Sequence, residues 1–374
     1  MTLREKLGQL LIVGVHGTQL TKDEEAFLVN NDIGGVVFMG RNCQSPEQVH
    51  QLSSSIQKLR HQTTSKSPFF ISVDMEGGRV ARLKAPFTKW PPLKKLGDLD
   101  SPSLAFNFAV GMGQELKAVG INFDFAPCVD VFTNPANTVI GDRSLSSDPE
   151  LVAKMASALV RGYMKAEVIT CAKHFPGHGN TLLDSHEDLP VEEVGLERLN
   201  QVELVPFKKA IRSRVDSVMI SHILFKSIDS QYPASLSEAI IQKLLREELR
   251  FRGLIVSDDL DMKALTKNYS PEEIPVRAIE AGNDVLLYCN DPAVPPKALD
   301  ALEAAVNNGR LSLARIEDSY QRVAKLKRES ILEIDPRPWS EVKDVIGHAD
   351  HKAVAQAIDE GRIPEGLVQD RENQ

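Results

Sequence analysis

A (β/α)8 barrel over residues 1–330, followed by a C-terminal extension over residues 331–374, is the architecture that this 374-residue sequence predicts. Three observations predict it. Short apolar runs recur along the chain. Capped helical patterns lie between them. Polar and charged residues gather just past the C-terminal ends of those runs.

The runs read as strands at Leu10–Val15, Gly34–Phe38, Phe69–Val73, Ile121–Phe125, Val168–Ala172, Ser217–Ser221, Leu254–Ser257 and Asp284–Tyr288. Several are nearly all apolar rather than alternating, the pattern of strands buried on both faces of a parallel sheet. Between them, Asp148-Pro149 places a capping carboxylate before a proline at the first helical position, and an amphipathic run follows to Lys165. Ser235-Leu236-Ser237-Glu238 has capping-box spacing ahead of a helix to Leu249. Lys297–Val306 reads as helix with Gly309 beyond its end, and a last amphipathic helix spans Leu313–Lys327. Alternation alone also fits a doubly wound open sheet, which is the alternative architecture. After Ser330 the pattern changes. The extension passes through Asp335-Pro336-Arg337-Pro338 to the charged end QDRENQ. One short helix is expected near His351–Glu360, with loose packing elsewhere.

Composition narrows the function. Apolar residues make up 42% and charged residues 26%, which is ordinary for a globular protein. The net charge of −8 argues against a nucleic-acid partner, which favours a basic face. No apolar run approaches the roughly 20 residues that cross a bilayer, so no membrane partner is expected. MTLREKLGQLLIVGV lacks the basic start, long apolar stretch and cleavage site of a signal peptide, and a cytoplasmic location is expected. The four cysteines show no CxxC spacing, which points to a reducing compartment rather than a disulfide framework. A monomer is expected.

In a barrel, chemistry belongs to the loops that follow the strands. Asp74 ends the third strand, in SVDMEGGRVARL. Lys173-His174 end the fifth, Ser221-His222 the sixth, Asp258-Asp259 the seventh and Asn290-Asp291 the eighth. The fourth contains Asn122 and Asp124, and its long loop carries Gly141-Asp142-Arg143-Ser144. Strand ends meet water, and turn-forming Asp and Asn are common there. No single residue therefore decides the matter, but their concentration at one end of the barrel marks an active site.

The loop after the fifth strand, KHFPGHGNTLLDSHEDLP, holds three of the nine histidines. It admits three readings. His174, His178, His186 and Asp184 could ligate a metal, although Pro176 and Gly177 keep the first two histidines off a common helical face and Lys173 competes with a cation. Alternatively, Asp184 and His186, two apart and facing the same way in extended backbone, could form an acid–base pair on a loop hinged at Gly177 and Gly179. Or the loop is merely solvated. Asp258, at the end of an apolar strand, is a candidate nucleophile or base. Asp259 and Asp261 are candidates for capping or structural roles. Lys173, His174, Arg143, Arg82 and Asp74 supply donors and an acceptor that suit a polyhydroxylated ligand such as a sugar. No phosphate-binding loop or dinucleotide fingerprint is present.

As a set, these segments resemble the family-3 glycoside hydrolases, and within them the bacterial β-N-acetylhexosaminidases of peptidoglycan recycling. KHFPGHG with Asp184-Ser185-His186 is similar to that family's mobile catalytic loop. VDMEGGRVARL is similar to its D-x-E-G-G-R-V-x-R-L segment, and INFDFAPCVDV, GDRSLS and IVSDDLDM follow in the family's order. The likeness covers residues 5–330. It departs at Asn180, where the family usually has aspartate, and at Leu145, where phenylalanine is common.

The resemblance implies a (β/α)8 fold and a retaining mechanism. Asp258 would be the nucleophile and His186 the general acid and base, with Asp184 as its partner. Asp74, Arg82, Arg143, Lys173 and His174 would bind N-acetylglucosamine. It implies a substrate among 1,6-anhydro-muropeptides, and neither cofactor nor metal. A β-glucosidase of the family would draw its acid/base from a second domain. A sugar-binding protein without catalysis and a metal hydrolase are the remaining alternatives.

Overall fold

The computed structural model describes residues 1–182, 185 and 187–364. Eight parallel strands form the barrel: β1 Leu11–Gly14, β2 Gly35–Phe38, β3 Phe70–Val73, β4 Phe123–Asp124, β5 Ile169–Phe175, β6 Ser217–Ile220, β7 Leu254–Asp259 and β8 Val285–Tyr288. Each pairs with its neighbours in sequence, and β1 closes the ring on β8 with Leu11 opposite Leu286 and Val13 opposite Tyr288. The sheet is therefore closed, and the open-sheet alternative falls away.

The strands stand where the apolar runs predict them, with two instructive differences. β4 keeps only two residues, because the Asn122 side chain takes over the ladder there. Its carbonyl accepts from the Ile71 amide at 2.9 Å and its amide donates to the Phe69 carbonyl at 3.0 Å. β5 runs on to Phe175, with a register shift against β6 between Ala172 and Phe175. β7 shifts against β8 between Val256 and Asp259. Such irregularities re-aim side chains at a barrel rim, and here they fall at Lys173-His174 and at Asp258.

The barrel interior is a packed core. Phe70, Phe123 and Phe125 meet edge to face, with ring centroids 5.4 and 5.0 Å apart. Asp148 caps the Pro149–Ala166 helix through the Glu150 amide at 3.0 Å, and this helix packs on Pro102–Ala118. The capping box at Ser235–Glu238 does not form. The Ser235 hydroxyl is instead bonded to His222 Nδ1 at 2.7 Å, and Ser237 caps a widely wound helix over Ala239–Glu248.

The extension is docked more closely than its composition predicts. It forms helices at Trp339–Val342 and Ala349–Asp359 and buries Ile331, Val342, Ala355, Ala357 and Ile358. The anchor is Glu115, buried on the 102–118 helix. It accepts from the Thr88 hydroxyl at 2.8 Å and, from the extension, the Gly347 amide at 2.6 Å. Arg60 adds a two-bond ion pair to Asp335 at 2.6 and 2.8 Å. A polar segment was thus recruited by a buried acceptor that is distant in sequence. Among the described residues no helix is long and apolar enough to cross a membrane.

Candidate active site

The site begins at a hairpin. After β3 the chain forms Met75–Gly77, turns at Gly77 and Gly78, and returns through Val80–Ala81. Both glycines have positive φ, +97° and +56°, and a Cβ on either would strike Pro91 or Pro92. Only glycine fits this turn. Its effect is to bring Asp74, Glu76 and Arg82 to the mouth of the barrel together.

These residues start a continuous charged chain. Arg82 reaches Asp74 at 3.3 Å, and Asp74 meets Lys173 Nζ at 2.7 Å. Lys173 also meets Glu76 at 2.7 Å. Glu76 accepts two bonds from Arg143, at 2.8 and 2.9 Å, and Arg143 lies 3.3 Å from His174 Nε2. His174 Nδ1 meets Asp130 at 2.7 Å. Glu76, Lys173 and Asp130 are almost wholly buried. Burial alone would neutralise them, but opposite charges at contact distance outweigh it. Arg143 and Lys173 hold the Glu76 carboxyl far below the usual range. Asp74 and Glu76 hold the Lys173 ammonium up. His174 and the His178 amide hold Asp130 down, to about 2.

Asp258 lines a cavity of about 260 Å³ together with Asp74, Arg82, Met39, Met219 and Met262. Its own carboxylate accepts from the Asp259 amide at 2.8 Å. Asp259 lines the same cavity and ties β7 to β8, accepting from the Cys289 amide and Asn290 Nδ2, each at 3.1 Å. Burial raises Asp259 to about 6, and burial with the Asp259 charge raises Asp261 to about 7. Asp259 and Asp261 therefore carry less negative charge at neutral pH than two free carboxylates would.

The predicted sugar-binding residues Asp74, Arg82, Arg143, Lys173 and His174 are brought into one network. Asp74 and Arg82 line the cavity and the other three stand behind them. Asp184 and His186 lie outside the described residues. Beside them, Ser185 is seated: its carbonyl accepts from the Ala264 amide, just past β7, at 3.2 Å. Lys267 donates to the Glu187 carbonyl at 2.6 Å and pairs with Asp188 at 3.3 Å. His178 is bonded at Nδ1 to Thr181 at 2.7 Å, and burial pushes it down to about 4, so it is neutral.

Two acids of this network, Glu76 and Asp130, are not among the residues the sequence singles out. Glu76 links Lys173 to Arg143. Asp130 gathers His174 and, through the His178 amide at 2.6 Å, the start of the loop. Glu76 did leave a signal, standing two residues beyond Asp74 in an extended stretch. Asp130 stood within INFDFAPCVDV, but only the barrel brings it to β5, so nothing local named its partners. Among the described residues, potential metal ligands come together at Cys128, Asp130 and His174, within 4.8 Å. This is not the set the loop suggests, and hydrogen bonds already join it. The neighbouring Arg143 guanidinium opposes a cation there.

The description "Glycosyl hydrolase family 3 N terminal domain" matches residues 2–326. A beta-hexosaminidase of Nitrosomonas eutropha is 34% identical over 325 residues, 84% of this chain and 91% of the relative. The solved family 3 beta-N-acetylglucosaminidase of a Paenibacillus species is 37% identical, with a TM-score of 0.88, covering 96% of this chain and 69% of that one. A fungal multi-domain family 3 beta-N-acetylglucosaminidase is 36% identical with a TM-score of 0.90. The alignment covers 96% of this chain but only 43% of the fungal one.

Proposed function

The chain belongs to glycosyl hydrolase family 3, and we propose that it is a retaining exo-β-N-acetylglucosaminidase that releases terminal N-acetylglucosamine from 1,6-anhydro-muropeptide fragments of peptidoglycan. The observation that carries this reading is the 260 Å³ cavity, in which Asp258 faces Asp74 and Arg82. The volume lies just below the ~300–1,000 Å³ of sites for drug-sized ligands. A single sugar ring suits it better than an oligosaccharide, which supports exo action.

In this reading Asp258 attacks the anomeric carbon while His186 protonates the departing glycosidic oxygen. A covalent glycosyl-enzyme results. His186, oriented by Asp184, then takes a proton from water, which attacks the same carbon and frees Asp258. Asp74 accepts from a sugar hydroxyl, with Arg82, Lys173, Arg143 and His174 as donors around it. Glu76 balances Lys173 and Arg143, so both cations stay charged side by side. No cofactor or metal takes part in these steps, the chain acts as a monomer, and the reaction is cytoplasmic.

The test is hydrolysis of a chromogenic β-N-acetylglucosaminide with chelator present, with the anomer of the released sugar followed by NMR. The native chain turns over and releases the β-anomer first. Asp258→Asn is nearly dead and His186→Ala is impaired by roughly 10²-fold or more. Initial release of the α-anomer, or full activity in Asp258→Asn, would sink the mechanism. Comparing N-acetylglucosaminyl-1,6-anhydro-N-acetylmuramic acid with chitobiose tests the substrate. Equal rates would favour a second reading, a general β-N-acetylglucosaminidase. That reading is supported by the likeness to the Paenibacillus structure, which at 96% of this chain reaches past the barrel into the extension.

A further inference from the structure

The loop between β5 and β6 leaves the barrel and returns to it as two legs. Asn180 stands on the outgoing leg. Glu192 stands on the returning leg, in the short strand Val191–Glu192 that pairs with Leu224–Phe225. Asn180 Nδ2 donates to Glu192 Oε2 at 2.8 Å. The same amide uses its oxygen as an acceptor, from the Thr133 hydroxyl at 3.2 Å and Arg198 at 3.4 Å. The Asn180 main-chain carbonyl accepts from Asn134 Nδ2 at 3.0 Å. The outgoing leg also lies hard against the loop after β4, where a Cβ on Gly179 would meet the Val131 carbonyl at 1.8 Å.

We propose that the Asn180–Glu192 hydrogen bond is a clasp across the base of the loop, and that Asn180 is a positioning residue for the segment between, which carries Asp184 and His186. The inference rests on the reading of His186 as acid and base. Its logic is the two-sidedness of an amide. Asn180 must accept from Thr133 and Arg198 while donating to a carboxylate. An aspartate at this position could accept but, when ionised, has nothing to give Glu192. Two carboxylates at this distance must share a proton. Among the described residues, the groups facing Glu192 are Asn180, the Arg198 guanidinium, which draws it down, and Glu203, which Arg198 pairs with at 3.2 Å and whose other oxygen is buried without a partner. Glu192 is already raised by burial, and the one cation beside it, Arg198, already serves Glu203, so a carboxylate at position 180 would be the third to share that charge.

The test is kcat and KM from pH 5 to 8 for the wild type, Asn180→Asp, Asn180→Ala and the double variant Asn180→Asp/Glu192→Gln, with folding checked by circular dichroism. In Asn180→Asp a shared proton keeps the clasp at acid pH, and its loss breaks the clasp as pH rises. Its kcat falls roughly tenfold or more by pH 8 while KM holds within about twofold, since Asn180 does not line the cavity. Asn180→Ala lowers kcat at every pH. Glu192→Gln restores the double variant, because a glutamine amide donates back to the carboxylate introduced at position 180. The idea is overturned by an unchanged kcat in Asn180→Asp, by an equal loss at pH 5 and pH 8, or by a double variant no better than the single. If Asn180→Asp does not fold, wild-type kcat in Asn180→Ala overturns it instead. An inert wild type would count against the proposed function and not against the clasp.

Discussion

Glu76 and Asp130 show how a single buried charge can organise a site without lining it. Glu76→Gln leaves Lys173 and Arg143 sharing one fewer anion in a dry environment. Removing one partner of a buried ion pair costs about 3–5 kcal/mol, so this variant should melt well below the wild type. KM for the chromogenic sugar should rise at least roughly tenfold, about 1.4 kcal/mol of binding. A wild-type melting temperature would mean that the pairs contribute nothing. Asp130 makes a pH prediction. Its folded value, about 2, lies below the unfolded aspartate value of about 3.9. Its contribution is therefore complete above pH 4 and disappears as pH falls toward 2. Denaturant titrations should show the wild type losing up to about 2–3 kcal/mol more over that window than Asp130→Asn does. Parallel losses in the two proteins would show that Asp130 is not held down.

The loop after β5 depends on what it leans on. Its seat is the short helix Lys263–Thr266 just past β7, together with Lys267. The Ser185–Ala264 contact is main chain to main chain and survives side-chain changes. The Lys267 contacts do not. They are exposed, so their loss is worth about 1 kcal/mol, roughly fivefold in an equilibrium. Lys267→Ala should therefore lower kcat several-fold, most of all at low salt, with KM and the melting temperature nearly unchanged. Stopped-flow and steady-state assays across ionic strength would check this. A kcat insensitive to both the substitution and salt would remove Lys267 from the seat. The prediction belongs to the element, because β7 carries the Asp258 carboxylate and the helix that follows it is the platform on which the loop rests.

The whole molecule is closed at two places far from the cavity. Lys327, on the last barrel helix, is buried beneath the barrel, bonded to Gln9 at 2.9 Å and lying over the Phe70 ring at 4.9 Å. Burial pushes its ammonium down to about 7, against about 10.4 in an unfolded chain. The folded state thus resists protonation, and the penalty grows as pH falls from 10 toward 7. Lys327→Met should raise the melting temperature, with a larger gain at pH 6 than at pH 9. A gain independent of pH, or a loss, would show that the charge is well solvated. The extension closes the other side. A chain ending at Ser330 would uncover Glu115 and Trp90, and would lose several buried side chains worth about 1.5–3 kcal/mol each for the larger ones. It should melt far below the full chain. Of the two tryptophans, Trp339 leaves with the extension, so a red-shifted emission would report Trp90 alone.

Local chemistry decided much of this protein from the sequence alone. Apolar runs of strand length became β1–β8, since a strand buried on both faces needs little more than that pattern. The Asp148-Pro149 cap formed because its partners lie within one turn. That Asp74 and Asp258 would meet at one mouth was legible, since a barrel sends its strand ends there. Tertiary structure decided the rest, wherever a group's partner is remote in the chain. Closure depended on β1 meeting β8. Ser235 abandoned its capping box for His222, and Asn122 shortened β4 by bonding across to β3. The 331–364 segment looked loose until Glu115 was there to receive it. Asp130 meets His174 from 44 residues away, and Glu76 meets Arg143 from 67. A charge can be read from one residue, but whether it is balanced depends on what the fold sets against it, and no local pattern records that.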